Sequence, residues 1–126
     1  MEPTTPVVLV VDDEPHLLDL LRLAVLLDDR FAVIACKDGP EAVRVCQEGA
    51  VDAMVLDLMM PGMSGIDVLV ALGSNLPPTM VLSAIGDQPW TVAASLAAGA
   101  RTVMAKPFDV RDLLDGVVAL LGVGDV

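Results

Sequence analysis

The sequence predicts an α/β fold in which a doubly wound parallel sheet of five strands carries helices on both faces. Short apolar, β-branched runs alternate five times with helical patterns, and such alternation favours right-handed crossovers onto one parallel sheet. Hydrophobic residues make up 55% of the chain and aromatic residues only 2%, which is typical of buried strands rich in Val, Ile and Leu. The 126 residues are enough for one domain.

The first strand is predicted over residues 7–11, which form an unbroken apolar run after a loose, proline-containing lead-in over residues 1–6. A helix follows over residues 14–27. Its second residue is Pro15, which a first helical turn tolerates because the missing N–H would have no partner there. Asp13 is in position to cap this helix.

The next units repeat this alternation. Residues 31–36 form the predicted second strand, and a helix over residues 38–48 begins with Asp38 as its cap and stops at Gly49. Residues 53–56 form the third strand, which is followed by a loop. The sheet therefore acquires three of its strands in the first half of the chain.

The second half of the chain continues the alternation of strands and helices. Asp87 is predicted to cap the helix after the fourth strand, and Gly99 ends that helix. The remaining predicted elements are the strands 79–83 and 101–105 and the helices 65–72, 87–99 and 109–121. We expect residues 1–126 to form a single domain, with residues 122–126 as a tail or the start of a linker.

Charge and composition exclude several classes of function. The 18 acidic residues outnumber the 7 basic ones, and the formal charge of -11 would repel a nucleic-acid backbone. The apolar stretch 17–27 contains Asp19 and Arg22 and is shorter than the ~20 residues of a membrane span. Without a recognisable signal sequence, the cytoplasm is the expected location. Cys36 and Cys46 are interpreted as inert thiols.

Polar residues stand at the carboxyl ends of four predicted strands. These residues are Asp12, Asp13, Asp57, Ser83 and Lys106. Ligands of open parallel sheets bind at this edge, so we expect the five side chains to converge. Each alone could be a helix cap, a turn residue or a surface charge. Their shared position at the same end of successive strands favours one functional site.

Three carboxylates in one pocket repel each other and require a cation. Oxygen ligands favour Mg²⁺, which keeps several waters and usually takes one or two carboxylates together with phosphate oxygens. The cluster contains no His or Cys, which disfavours zinc. The only histidine, His16, is interpreted as a helix-surface residue. The sequence thus predicts a magnesium site.

The same residues supply the groups needed for phosphoryl transfer onto an aspartate. Asp57 is the best nucleophile, because it stands alone at the end of a buried strand while Asp12 and Asp13 are paired as metal holders. Lys106 would neutralise phosphoryl oxygens and Ser83 would hydrogen-bond one of them.

At this point the chain resembles the receiver domain of bacterial two-component response regulators over nearly its whole length. The motifs that carry the resemblance are Leu9-Val10-Val11-Asp12-Asp13-Glu14, Leu56-Asp57-Leu58-Met59-Met60-Pro61-Gly62-Met63-Ser64-Gly65, Leu82-Ser83-Ala84, Gly99-Ala100 and Lys106-Pro107-Phe108. Each motif is weak alone, but five in this order are highly specific. The resemblance implies a flavodoxin-like sheet of order 2-1-3-4-5.

The resemblance also implies a role for each site residue. Asp57 would be the phosphoacceptor, and Asp12 and Asp13 would hold Mg²⁺ with the Met59 carbonyl as a further ligand. Ser83 and Lys106 would contact the phosphoryl group. The donor would be a sensor histidine kinase or a phosphotransfer protein, and the domain would catalyse only its own phosphorylation and dephosphorylation. An effector protein or domain would receive the signal, and a homodimer is possible.

One position departs from the family pattern. Many receivers have a Tyr or Phe three residues before the lysine, whereas this chain has Val103. Ring rotation cannot report the signal here, so we expect the loop 84–87 to move instead, with Gly86 absorbing the change. Met59 and Ile85 cannot orient an attacking water, which predicts a long-lived phosphorylated form.

The partner surface is expected on the fourth helix, fifth strand and fifth helix, as in related domains. The first helix, with Leu23 and Leu26, is the competing candidate. Two other functions remain open: a pseudo-receiver that only binds proteins, and a hydrolase with an aspartyl-phosphate intermediate. The intact acidic triad argues against the first, and the lack of an inserted cap argues against the second.

Overall fold

Five strands alternate with five helices in the computed structural model, which describes residues 5–27, 30–84 and 87–122, without the side chains of residues 25–27. The strands are β1 (Val7–Val11), β2 (Ala32–Cys36), β3 (Ala53–Asp57), β4 (Thr79–Ser83) and β5 (Thr102–Ala105). The helices are α1 (Pro15–Leu27), α2 (Gly39–Gln47), α3 (Gly65–Leu72), α4 (Pro89–Ala97) and α5 (Val110–Leu121). A single 3-10 turn, Gly73–Asn75, follows α3.

All strand pairs are parallel, and the strand order is β2-β1-β3-β4-β5. The predicted fold class and strand order are confirmed. β1 and β3 lie at the centre of the sheet, where Val11 pairs with Leu56. β3 and β4 are buried along their whole length, as expected of strands covered on both faces.

The hydrophobic core forms two layers, one on each face of the sheet. Alternate residues of β1 enter different layers: Leu9 and Val11 pack with α2 and α3, whereas Val8 and Val10 pack with α1 and α5. This alternation follows from the two-residue period of a strand. α4 lies beside α3 and β5. The apolar strands therefore pack against helices on both faces of the sheet.

Most predicted helix ends are confirmed. Asp38 accepts a hydrogen bond from the Glu41 backbone at 2.9 Å and caps α2, and Asp109 accepts one from Arg111 at the start of α5. The predicted capping role of Asp87 is wrong. The residue that precedes α4 is Gln88, which makes no side-chain cap, while the Asp87 carboxylate is engaged elsewhere.

Three smaller predictions concern single residues. His16 is exposed on α1, as expected. Both cysteines are buried, and burial raises the pKa of Cys36 to about 12 and of Cys46 to about 11, so the thiols are poor nucleophiles at neutral pH.

Asp12, rather than Asp13, accepts the hydrogen bond of the Glu14 backbone, at 2.9 Å. The Asp13 cap stays a prediction.

Within the described part of the chain, every helix is too short or too polar to span a bilayer. Several predictions fall on other residues. Ile85 and Gly86, the side chain of Leu26, the first four residues of the lead-in and residues 123–126 of the tail lie outside what the structure describes.

Candidate functional site

Two buried carboxylates lie side by side at the carboxyl edge of the sheet. Val11 of β1 pairs with Leu56 of β3. The residues that follow them, Asp12 and Asp57, therefore lie next to each other at the ends of two neighbouring strands. Asp12 is fully buried and Asp57 is 5% exposed, whereas Asp13 is exposed. One oxygen from each of the three side chains lies within 4.8 Å of the others. The predicted acidic cluster therefore forms.

Lys106 reaches this cluster from the end of β5. Its Nζ atom lies 3.1 Å from Asp12 Oδ2 and 3.5 Å from Asp57 Oδ2. The backbone N–H of Lys106 donates to the carbonyl of Ser83 at 2.8 Å, which anchors this residue to the end of β4. The peptide bond between Lys106 and Pro107 is cis. The lysine thus bridges the two buried carboxylates.

The electrostatics of the site follow from burial and from these charges. Burial and then the charge of Asp12 raise the pKa of Asp57, and Lys106 and the backbone N–H of Met59 offset only part of that increase. Burial alone would lower the pKa of Lys106, but its hydrogen bond to Asp12 and the nearby charge of Asp57 outweigh burial and raise it. Lys106 is therefore an ammonium group at neutral pH.

One ammonium group faces three carboxylates, so the site carries excess negative charge. The available ligands are oxygens, and one of them belongs to the exposed Asp13 at the mouth of the site. This donor set fits Mg²⁺ and disfavours softer metals. Met59 contributes its backbone N–H, 3.3 Å from Asp57 Oδ1. A ligand role for its carbonyl oxygen stays a prediction.

Ser83 lies at the same edge of the sheet, but its hydroxyl bonds to Asp87, which is outside the acidic cluster. Ser83 is 8% exposed, and its Oγ donates to Oδ2 of Asp87 at 3.0 Å. The same carboxylate oxygen accepts the backbone N–H of Ala84 at 2.8 Å. Sequence reasoning missed this role of Asp87. A carboxylate four residues after a strand-ending serine was the pattern that could have indicated it.

Val103 occupies the β5 position where many receivers have an aromatic ring. It is half-buried and packs against the core layer that contains Val81, its partner on β4. A valine side chain has no ring to turn inward, so a ring rotation cannot occur at this position.

Comparison with known proteins decides the family. The sequence profile described as the response regulator receiver domain matches residues 8–118. The chain belongs to this family. Among curated proteins, the receiver is 42% identical over 120 residues to the transcriptional regulatory protein PrrA of Mycobacterium tuberculosis, covering 94% of this chain and 51% of the relative. It is 43% identical over 108 residues to KdpE of the same species, covering 85% of this chain and 47% of the relative.

Solved structures agree with this assignment. The receiver domain of a putative LuxO repressor protein from Vibrio parahaemolyticus superposes with a TM-score of 0.84 at 25% identity, covering 94% of this chain and 91% of that one. The chemotaxis protein CheY4 of Vibrio cholerae superposes with a TM-score of 0.81 at 27% identity, covering 94% and 100%. The receiver described here spans about half the length of the curated relatives.

Proposed function

We propose that this receiver is a phosphorylation switch in which Asp57 accepts a phosphoryl group from a sensor histidine kinase or a phosphotransfer protein. The observation that carries the proposal is the position of Asp57. The residue is 5% exposed at the end of a central strand, beside a second buried carboxylate and an ammonium group. A carboxylate in this setting can be both a metal ligand and a nucleophile.

The transfer requires few parts. An oxygen of ionised Asp57 forms a bond to phosphorus, the bond between phosphorus and the donor nitrogen breaks, and the imidazole leaves. Lys106 stabilises the charge that is spread over the phosphoryl oxygens. Mg²⁺, held by Asp12, Asp13, Asp57 and the Met59 carbonyl, would supply charge neutralisation between the carboxylates and the phosphoryl group. Ser83 would donate its hydroxyl to a phosphoryl oxygen in the transition state and after transfer.

We further propose that the domain catalyses only its own phosphorylation and dephosphorylation. Residues 1–126 would form one receiver domain, and a cytoplasmic location would give it access to the kinase. The net charge of -11 argues against direct nucleic-acid binding by this segment. Any contact with DNA, as in the relative named DNA-binding response regulator MtrA, would need another segment of a longer protein.

The surface formed by α4, β5 and α5 is the proposed partner or homodimer face. On α4, Trp90 is 67% exposed and Leu96 is 45% exposed, and tryptophan is enriched at protein interfaces. The competing face is α1, where Leu20 is 46% and Leu23 61% exposed. If phosphorylation shifted backbone amide NMR resonances only around α1, the choice of α4, β5 and α5 would be wrong.

Labelling with a small phosphodonor tests the proposal directly. With acetyl phosphate and Mg²⁺, intact-mass analysis should find one added phosphoryl group on the parent protein and none on Asp57→Asn. Glu48→Gln removes one charge at an exposed position outside the site and should be labelled like the parent. Labelling of Asp57→Asn at any residue other than a neighbouring carboxylate would refute the assignment.

The same experiment separates the two alternative functions. A pseudo-receiver would remain unlabelled although it is folded and its acidic cluster is intact. A hydrolase would release many equivalents of inorganic phosphate per chain from a small phosphate ester, whereas the proposed switch would release phosphate only as its own aspartyl phosphate decays. Continuous phosphate release from a phosphate ester is therefore the result that would favour the hydrolase.

A further inference from the structure

We propose that Asp87 is a positioning residue that holds the Ser83 hydroxyl away from the phosphoryl group and so sets how readily phosphorylation switches the domain. This inference rests on the proposed function of Asp57. It concerns a residue outside the acidic cluster, and it gives the receiver an off-state contact that does not require an aromatic ring at Val103.

Three hydrogen bonds define the contact. Ser83 Oγ donates to Asp87 Oδ2 at 3.0 Å, and the N–H of Ala84 donates to the same oxygen at 2.8 Å. The N–H of Asp87 returns a bond to the carbonyl of Ala84 at 3.1 Å. Ser83 is 8% exposed and Asp87 is half-buried, so water competes little for the hydroxyl. A hydrogen bond to a charged carboxylate is stronger than a neutral one.

The hydroxyl group of serine has a single donor hydrogen. Ser83 therefore cannot donate to Asp87 and to a phosphoryl oxygen on Asp57 at the same time. The two states of the switch differ in which anion accepts this hydrogen. Because a ligand shifts an equilibrium only through its different interactions with the two states, the strength of the Asp87 contact opposes the phosphorylated state directly.

In the part of the chain that the structure describes, the Asp87 carboxylate does not cap α4. α4 begins at Pro89, and its N-cap residue Gln88 makes no side-chain capping hydrogen bond. Among the described residues, the Asp87 carboxylate instead accepts hydrogen bonds from the last residue of β4 and from the residue after it. The Asp87 carboxylate therefore accepts the serine hydroxyl and does not cap the helix.

Release of Asp87 would also change a surface groove. A groove of about 390 Å³ lies between the loop after β3 and the start of α4, and Asp87 lines it together with Met59, Ile66 and Trp90. Trp90 is 67% exposed, three residues beyond Asp87. A movement of the carboxylate at this wall would alter the surroundings of the indole, which makes tryptophan fluorescence a local readout of the off-state contact.

The test compares Asp87→Ala and Asp87→Asn with the parent protein in acetyl phosphate and Mg²⁺. Freed of its acceptor, Ser83 should reach the phosphoryl group sooner, and Asp87→Ala should be phosphorylated roughly three- to tenfold faster, the range expected for one lost hydrogen bond. Asp87→Asn keeps a neutral acceptor and should fall between the two. Glu48→Ala, which removes one exposed charge elsewhere, should match the parent.

A double-mutant cycle separates positioning from mere structure. In a Ser83→Ala background, Asp87→Ala should no longer change the phosphorylation rate, because the hydroxyl that it held is gone. The inference is overturned if Asp87→Ala accelerates labelling equally in that background, or if folded Asp87→Ala is labelled no faster than the parent. Should Asp87→Ala fail to fold, as judged by circular dichroism, Asp87→Asn carries the same comparison.

The two proposals can fail separately. If the parent protein is labelled on Asp57 but the Asp87 variants behave like it, the switch stands and the role of Asp87 does not. If the parent is not labelled at all, the proposed function is refuted and the inference falls with it.

Discussion

Gly65 lies so close to Asp57 that a Cβ atom at Gly65 would be 2.6 Å from the Asp57 carbonyl oxygen. The same Cβ would be 2.8 Å from the Cα of Leu58. The obstructing atoms belong to the backbone, so they cannot rotate away as a side chain would. The first turn of α3 is thus packed directly on the segment that carries the proposed phosphoacceptor, and only glycine allows this approach.

Gly65→Ala should therefore destabilise the protein and disturb the site together. Overpacking of this kind costs about 1–3 kcal/mol of unfolding free energy, and the displaced Asp57 backbone should slow labelling by acetyl phosphate. Val70→Ala on the same helix alters a side chain that is 67% exposed and should change stability by less than ~0.5 kcal/mol. Equal urea midpoints for Gly65→Ala and the parent would contradict the close approach.

Mg²⁺ should raise the melting temperature of the unphosphorylated protein. The ion relieves the repulsion that folding imposes on Asp12, Asp13 and Asp57, and a ligand that binds only the folded state stabilises it. Calcium should do less. Asp13→Ala removes one exposed ligand and one of the repelling charges, so it should weaken the response to Mg²⁺ without lowering the metal-free melting temperature. Equal stabilisation by monovalent salt at the same ionic strength would indicate simple screening.

The raised pKa of Asp57 predicts how stability depends on pH without divalent ions. The pKa is above its ordinary value of 3.8 in the folded protein, first because of burial and then because of Asp12. The folded state therefore binds more protons than the unfolded state between the two pKa values, and stability falls as the pH rises through that window. Asp57→Asn, which cannot ionise, should be more stable than the parent at neutral pH.

The stability difference between parent and Asp57→Asn should shrink as the pH is lowered toward 3.8, where the Asp57 carboxyl becomes protonated in both folded and unfolded states. Thermal melts in metal-free buffer across this range provide the measurement. A gap that widened on acidification would show that Lys106 dominates the environment of Asp57 and would reverse the sign of the argument.

Met59→Asn should shorten the lifetime of the phosphorylated form. The Met59 side chain is 59% exposed, and its N–H lies 3.3 Å from Asp57 Oδ1, so an amide at this position could orient a water toward the aspartyl phosphate. Decay after removal of the donor should accelerate by ~10-fold, which corresponds to ~1.4 kcal/mol in the barrier. Val70→Asn adds the same amide on an exposed face of α3 and should leave decay unchanged. An unaltered rate for Met59→Asn would oppose this role.

Local patterns predicted the elements well where sequence and tertiary structure agree. α3 and β4 have the predicted bounds, because Ser64 supplies a capping box with Asp67 and the strand is an apolar run. Asp87 was assigned wrongly because an aspartate shortly before a helix fits two roles equally, helix cap and acceptor for a hydroxyl. Which role it takes depends on how β4 and α4 approach each other, and a one-dimensional pattern does not contain that distance.

The site was predicted as a set of residues, but their environments were not. Asp12 and Asp13 are neighbours in sequence, yet one is fully buried and the other is exposed, since successive residues leaving a strand point in different directions. The bridge from Lys106 to both buried carboxylates likewise depends on the sheet order, which brings β5 and β1 to the same edge from opposite sides of β3. Proximity followed from topology, and burial followed from packing.

The pairing of Val11 with Leu56 has a consequence for how this protein can evolve. Backbone hydrogen bonds hold neighbouring strands about 4.8 Å apart in any sheet. The separation of Asp12 from Asp57 is therefore set by the pairing of β1 with β3 and not by the shape of the core. Exchanges among Val, Ile and Leu can accumulate beneath the site while the two acids keep their spacing. Insertion of one residue into β1 or β3 would turn Asp12 or Asp57 to the opposite face of the sheet. Homologues that keep the site should therefore vary in core side chains but not in the length of these strands.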